Sequence, residues 1–310
     1  SGGSDSIVVA AGTANISASR VVAGVGNDIL SVTAAQLLNT TVAGNGDNDF
    51  LTVSGSLISS TVYGGAGNDT LAFSANGGIT GGVVFADLGN DSIAGTVNSA
   101  TVYGDNASGG GNDTFNLTVA SSAFIEGGQG ADSFGGATYL TSTVYGGQGN
   151  DTLILTAGAT GSRLYLDNGN DLFSGGAAAF AGNTISGGEG NDTIQLVATT
   201  SSSIVGGNGA DSISFTNAAS AASTAGAFGT YYFGFGSGSD SINFEATGGG
   251  VAIAIDSSFG STGSFASGVL TLGSQTITFQ AAGTTLSTAA ATNVGLTFVT
   301  VSSSTITNLG

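Results

Sequence analysis

Residues 61–73 read TVYGGAGNDTLAF, and residues 143–155 read TVYGGQGNDTLIL. The same turn returns as GGEGNDTI at 187–194 and GGNGADSI at 206–213. Each copy has a short β-prone segment, then glycines closing on an Asp, then an alternation of polar and apolar residues. Period-two alternation over so few residues reads as a strand with one buried face. Working outward, twelve aspartates fall at near-regular intervals: Asp5, Asp28, Asp49, Asp69, Asp91, Asp113, Asp132, Asp151, Asp171, Asp192, Asp211 and Asp240. The second residue after each is apolar, from Ile7, Leu30 and Leu51 to Ile213 and Ile242. A second short strand precedes the turn, as in TVAG at 41–44 and TISG at 184–187.

One such unit of about twenty residues cannot bury its apolar face alone, but stacking units in register does so and turns every strand into a rung. The expected fold is all-β: a right-handed parallel β-solenoid, or β-roll, of about twelve ~20-residue coils with a C-terminal β cap. At ~4.8 Å per rung, twelve coils make a rod roughly 55–60 Å long. The absence of Pro fits, because every backbone N–H on a rung is a ladder donor.

The 310 residues include 56 Gly and 40% hydrophobics, enough apolar material for a core. Lys plus Arg total 2 (Arg20 and Arg163) against 20 Asp plus Glu, for a formal charge of −18. A nucleic-acid partner is excluded on that charge. With no His and no Cys, thiol, zinc and imidazole acid–base chemistries are excluded too. No apolar run approaches the ~18 residues of a membrane span.

Stacked coils place the repeated carboxylates in a row. Two carboxylates ~4.8 Å apart repel by about 1 kcal/mol in bulk water and about 3–4 at an effective dielectric of 20. Summed along the row, that rivals the ~5–15 kcal/mol stability of a whole domain. A divalent cation between successive turns reverses the sign, and turn carbonyls with one carboxylate per coil form the hard-oxygen set that suits calcium. The metal positions on this reading are the twelve aspartates, Asp87 and Asp167, and the turn glycines Gly24, Gly26, Gly65, Gly67, Gly89, Gly128, Gly130, Gly147, Gly149, Gly169, Gly188, Gly190, Gly207 and Gly209. Plain turns without an ion are the competing account of any single GNDT. Twelve stacked carboxylates without basic partners favour calcium.

These motifs resemble the RTX, or haemolysin-type, calcium-binding family, whose nonapeptide runs G-G-x-G-x-D followed by an alternating apolar residue. The resemblance covers about residues 1–244. It implies a β-roll with calcium between adjacent turns, type I secretion from a Gram-negative bacterium or cyanobacterium, and folding outside the cell. The nonapeptide appears once per coil here, so about eleven ions in one file on one edge are expected. That plan is similar to the one-sided calcium solenoids of large bacterial adhesins and surface-layer proteins. One such adhesin module binds ice through an outward Thr between the motif glycines; the positions here are residues such as Val25, Ala66, Leu88 and Gln148, never Thr, which argues against ice.

Several copies depart from the pattern. Asp87 and Asp167 replace the second glycine, either adding a carboxylate to a calcium site or standing solvated in the turn. Asp47 stands where a glycine belongs, so a distorted third site is expected. Residues 104–110, GDNASGG, read as a small insertion. Before Asp240, the cluster Tyr231, Tyr232, Phe233 and Phe235 either packs at the end of the rod or stacks on glycan.

Residues 245–310 lose the motif but keep alternating segments: VAIAI at 251–255, VLTLGSQTITF at 269–279 and GLTFVTV at 295–301. The middle one reads as a hairpin about Gly273-Ser274. The division is thus a solenoid over 1–244 and a cap or assembly segment over 245–310, where the resemblance also allows an export signal. Ser1 enters mid-motif, suggesting a fragment or processed form whose first coil invites head-to-tail stacking.

As an enzyme the chain lacks a group to activate its hydroxyls. The pairs Asp87/Asp91 and Asp167/Asp171 have glycosidase-like composition but lie in the metal turns. The functional expectation is a secreted, extracellular, calcium-dependent structural protein of the cell surface: surface layer, filament or adhesin stalk. It self-associates, with cell-surface polysaccharide a further candidate partner. The alternatives are a non-catalytic RTX module of a secreted protease, lipase or polysaccharide-modifying enzyme, or an ice- or glycan-binding adhesin module.

Overall fold

The computed structural model describes residues 2–74, 78–106, 109–175, 180–196, 199–215, 228–233, 239–244, 252–256, 264–266, 269–272, 275–281, 284–285 and 297–301. The chain divides into two compact units, Ser1–Gly149 and Asn150–Gly310. Each is a parallel β-solenoid of the right-handed type expected, with no helix among the described residues.

In the first unit, one ladder runs through the strands that precede the turns. Arg20–Val25, Thr41–Gly46, Thr61–Ala66, Val83–Leu88, Thr101–Asp105, Phe124–Gln129 and Thr143–Gln148 pair in parallel. Register is strict: Val42, Val62, Val84, Val102, Ile125 and Val144 stack as one column. The second ladder uses the strands that follow each Asp, aligning Ile7, Leu30, Leu51, Leu71, Ile93, Phe115 and Phe134. Both columns face inward, and apart from the first-rung Ile7 they are sealed from solvent. A one-residue slip would turn every one of these side chains outward, so the alternation itself enforces the register. Phe115 and Phe134 stack with centroids 4.6 Å apart.

The second strand is longer than the sequence suggests, reaching ten residues in Ile29–Leu38. Register breaks between Thr33 and Gln36 and between Gly95 and Thr96 let it bend and bury a third column, including Leu37, Leu57, Ile79 and Val97. The coil then turns on non-glycine residues in the left-handed region: Asn39, Ser59, Ser99, Ser122 and Thr141, with φ between 47° and 51°. The next residue points in and closes the corner, as where Ser60 Oγ accepts the Thr40 N–H at 3.0 Å.

The second unit repeats the plan. Arg163–Asn168, Thr184–Glu189, Thr199–Asn208 and Phe228–Phe233 form one parallel ladder. Thr152–Leu155, Leu172–Gly175, Thr193–Leu196, Ser212–Phe215 and Ser239–Phe244 form the other. The motif-free tail extends both: Ala252–Asp256 and Thr297–Val301 add parallel rungs to the first, and Gln275–Ala281 adds one to the second. Val269–Leu272 folds back antiparallel on Gln275–Ala281, the pairing expected of a hairpin about 273–274. Residues 273–274 themselves, most of the 104–110 insertion's tip (107–108), and Phe235 lie outside the described residues.

Tyr139 is fully buried and its hydroxyl has no hydrogen-bond partner. An orphaned buried donor costs roughly 1–3 kcal/mol. Tyr139→Phe should therefore raise stability by about 1 kcal/mol, whereas Leu51→Ala, which opens a cavity at a sealed position, should lower it by about 2–5 kcal/mol. Denaturant unfolding in calcium-containing buffer measures both.

Candidate metal centre

Each motif Asp sits at the start of its second strand, and the strand's own alternation, apolar at the second and fourth residue on, turns the Asp side chain inward. Asp28, Asp49, Asp69, Asp91, Asp113 and Asp132 in the first unit, and Asp151, Asp171, Asp192, Asp211 and Asp240 in the second, are all buried, at 1–3% exposure. Asp5, on the first rung, is half-buried.

In ten of these residues one carboxylate oxygen is committed to the backbone. The N–H of an Asp donates to Oδ1 of the Asp one coil on: Asp5 to Asp28, Asp28 to Asp49, Asp49 to Asp69, Asp69 to Asp91, Asp91 to Asp113 and Asp113 to Asp132, at 2.6–2.8 Å. In the second unit the pairs are Asp151–Asp171, Asp171–Asp192, Asp192–Asp211 and Asp211–Asp240, at 2.7–3.1 Å. The other oxygen is left over. Oδ2 of Asp28, Asp49, Asp69, Asp91, Asp113, Asp171, Asp192 and Asp211 is buried without a hydrogen-bond partner.

An asparagine ladder runs beside this file in the opposite sense. The backbone N–H before each Asp donates to the Asn Oδ1 one coil back: Asn48 to Asn27, Asn68 to Asn48, Asn90 to Asn68, Asn112 to Asn90 and Ala131 to Asn112. In the second unit Asn170 donates to Asn150, Asn191 to Asn170 and Ala210 to Asn191. The recurrent Asn of GND is thus a structural acceptor, and the repeated side-chain amide was its signal in the sequence.

The predicted glycines form the turn around the file. Gly24, Gly26, Gly65, Gly67, Gly89, Gly128, Gly130, Gly147, Gly149, Gly169, Gly188, Gly190, Gly207 and Gly209 all have φ between 114° and 150°. Side chains rarely adopt that region. At Gly89 a Cβ would also overlap the carbonyl oxygen of Gly67 one coil back, so the coils approach too closely for anything larger. Where the glycine is replaced, the substitute keeps the left-handed backbone: Asn45, Asp47, Asp87 and Asp167 have φ of 91°, 67°, 82° and 71°. Asp47 also accepts the Gly26 N–H through Oδ2 at 3.0 Å.

The space beside the spare Oδ2 is bordered by a residue the motif reading left out. A Cβ at the first motif glycine would overlap the Asp Oδ2 of its own coil and the carbonyl oxygen of the first motif position one coil on. This holds for Gly44 with Asp49 and Gly64, Gly104 with Asp113 and Gly127, and Gly187 with Asp192 and Gly206. The first glycine therefore keeps a space open between a carboxylate and a carbonyl. Ala86 and Leu166, both sealed, take that place in the coils of Asp91 and Asp171.

Asp105 also escaped the motif. The insertion after it hides that it is in register with Asp87, as a third acid at a second-glycine position. Its Oδ2 accepts the Gln129 N–H at 2.7 Å, and the Gly111 N–H also serves the carboxylate. Asp87 is half-buried and accepts from the Asn106 amide at 3.2 Å.

Burial governs the electrostatics. It lifts Asp69 from 3.8 to about 6; Asp91, Asp132, Asp171, Asp192 and Asp211 to about 7; and Asp113 to about 8. The hydrogen bond from the preceding Asp N–H opposes the shift, and neighbouring carboxylates add to it, with Asp113 facing Asp91, Asp132 and Asp105. Burial also raises Asp49, Asp87 and Asp105. Each spare Oδ2 thus calls for a proton or a cation.

A hard cation fits. The donors are a carboxylate oxygen and main-chain carbonyls, with no nitrogen or sulfur ligand in the chain. Among the described residues no three acidic groups converge, so such a site relies on one carboxylate and neutral oxygens. The RTX calcium-binding nonapeptide repeat matches residues 59–75 and 181–195, in four copies, which hold Asp69 and Asp192 with their intact glycines. The chain carries RTX calcium-binding repeats on a parallel β-solenoid. No curated protein matches it.

The sign of the pH dependence follows. Folded-state values above 3.8 mean the folded chain holds protons more tightly than the unfolded one. That stabilisation is complete below about pH 4 and is lost as pH rises through about 6–8. In chelator, the melting temperature should fall between pH 4 and pH 8, and calcium should abolish the fall. Asp113→Asn should raise the melting temperature of the chelated protein at pH 8, yet lower it relative to wild type in calcium.

Proposed function

We propose that this chain is a secreted, calcium-dependent structural protein of the bacterial cell surface, in which about eleven calcium ions, one between each pair of motif turns, drive folding and assembly. The observation that carries the reading is the buried file of spare Oδ2 atoms in a chain with only 2 cationic side chains. No internal group can neutralise them. RTX repeats are calcium-binding and typical of secreted proteins. No helix among the described residues is long and apolar enough to cross a membrane.

Residues such as Asp69, Asp113 and Asp192 would hold the ions through Oδ2, and main-chain carbonyls at the first motif position would complete the shell. Bound calcium supplies positive charge and nothing redox-active. With one carboxylate per step, affinity falls in the weak range of extracellular modules, ~10⁻⁴–10⁻³ M. The protein would then be loose in a calcium-poor cytoplasm and rigid outside. The acid pairs Asp87/Asp91 and Asp167/Asp171 do not suit catalysis, since Asp91 and Asp171 are sealed and their Oδ1 atoms are held by the backbone. Self-association into a lattice, filament or stalk is the proposed use of the repeated rungs.

Adding calcium at around millimolar levels to the chelated protein should restore the β-sheet signal in circular dichroism. Ordered sheets or fibres should then appear by electron microscopy. A β signal indifferent to chelator would contradict the calcium reading. Persistent monomers with activity on a polysaccharide or lipid would contradict the scaffold.

A further inference from the structure

The outward side chains of the two ladders differ in the first unit. Over the coils of Asp69 to Asp132, the second ladder presents Thr70, Ser92, Thr114 and Ser133 in one register column. The first ladder presents rings over the same coils. Tyr63, Phe85 and Tyr103 share one column, and Glu126 and Tyr145 continue it. The first three rings stack nearly parallel, at 9° and 7°, with centroids 5.4 and 5.0 Å apart. Each covers its neighbour's face, so ring edges point outward and make an apolar ridge. Val22 and Ala43 extend the column to earlier rungs. Solenoid packing gives no reason for this face, because the core lies on the other side of these strands.

The charges on this face are self-complementary. Arg20, the only cationic side chain of the first unit, is exposed at the first outward position of its strand. Glu126 is the only acid in the two outward columns that begin with Arg20 and Val22. Asp87 and Asp105 stand further along, at the turn, and are engaged by the Asn106 amide and by the Gln129 and Gly111 N–H groups. Register runs from Arg20 through Thr41, Thr61, Val83 and Thr101 to Phe124, in the strand of Glu126. Those five steps of ~4.8 Å put the two charges about 24 Å apart, too far to pair within one chain. Beside Glu126 the face dips into a cavity of about 390 Å³, bordered by Tyr103, Gln129 and Gln148 among others. A guanidinium entering it would meet one carboxylate and two side-chain amide oxygens.

We propose that this face docks a second copy of the chain, in a two-fold, face-to-face pair whose rungs run in opposite order. The Arg20 end of each copy then lies against the Glu126 end of the other. At the centre, Tyr63 faces Phe85 of the other copy, and Tyr103 faces the small Ala43. Packed sheets stand ~10 Å apart, a gap that outward-pointing ring edges fill. Seven rungs of five or six residues make a flat of roughly 34 by 20 Å. The pair would bury about 1,400 Å², within the ~1,200–2,000 Å² of stable interfaces. The inference rests on the self-association proposed above and names the surface that carries it.

Analytical ultracentrifugation of the full calcium-loaded chain tests this with charge reversals. The wild type should sediment as a dimer or larger species. Arg20→Glu and Glu126→Arg should each weaken association by about tenfold, since each sets like charges against one another at both ends of the pair. Mixing the two variants should restore association, because the two reversed ends then meet each other and the two unaltered ends do likewise. Arg20 is exposed, so its variant keeps the fold, and melting temperatures in calcium check both. Wild-type association that neither reversal weakens, or no recovery on mixing, would overturn this surface and leave self-association through another face standing. A wild type that stays monomeric in calcium would overturn both.

Discussion

An ionised oxygen sealed from water with nothing to bind is among the costliest groups a fold can contain, and this solenoid repeats it at almost every coil. Oδ1 of motif aspartates such as Asp49, Asp91 and Asp192 is satisfied by the N–H of the Asp one coil before, so the backbone holds the carboxylate in place and cannot release it. Oδ2 of residues such as Asp69, Asp113 and Asp192 is then forced to find a proton or a cation. Burial, reinforced by neighbouring carboxylates, raises Asp91 and Asp192 to about 7 and Asp113 to about 8, so near neutral pH the two occupants compete directly. Calcium binding and folding stability are one equilibrium here, since the site exists only when coils stack.

The rest of the structure serves that constraint. The Asn ladder beside the file runs in the opposite sense and ties the same turns from the other side. Glycines at the second and fourth motif positions let coils approach until a Cβ would strike a carbonyl, and the first glycine keeps the space beside Oδ2 clear. The apolar columns supply most of the stabilisation: burying a single Leu or Phe contributes roughly 1.5–3 kcal/mol. Their strict register is also what lines the carboxylates up.

Much of this was legible in the sequence because both signals are periodic. The Asp spacing and the residues two and four beyond it located the turns, the buried faces and the parallel ladders. Other features carry no such mark. The bend after Thr33 carries none, and the left-handed corners at Ser59 and Thr141 depend on the inward Ser that follows, whose hydroxyl accepts a backbone N–H of the coil before. Asp105 was hidden because an insertion separates it from its motif, though register pairs it with Asp87. The glycine beside Oδ2 proved to be the first of the motif, a matter of carbonyl direction that composition does not express.

Infrared spectroscopy of the carboxyl groups tests the central claim most directly. At neutral pH in chelator, a substantial share of the buried aspartates should show the carbonyl stretch of a protonated acid. Adding calcium should remove that band, shift the carboxylate stretches and release protons to the solvent. A protonated-acid band that survives saturating calcium, with no proton release, would mean that the file is held by protons alone and that calcium is not its partner.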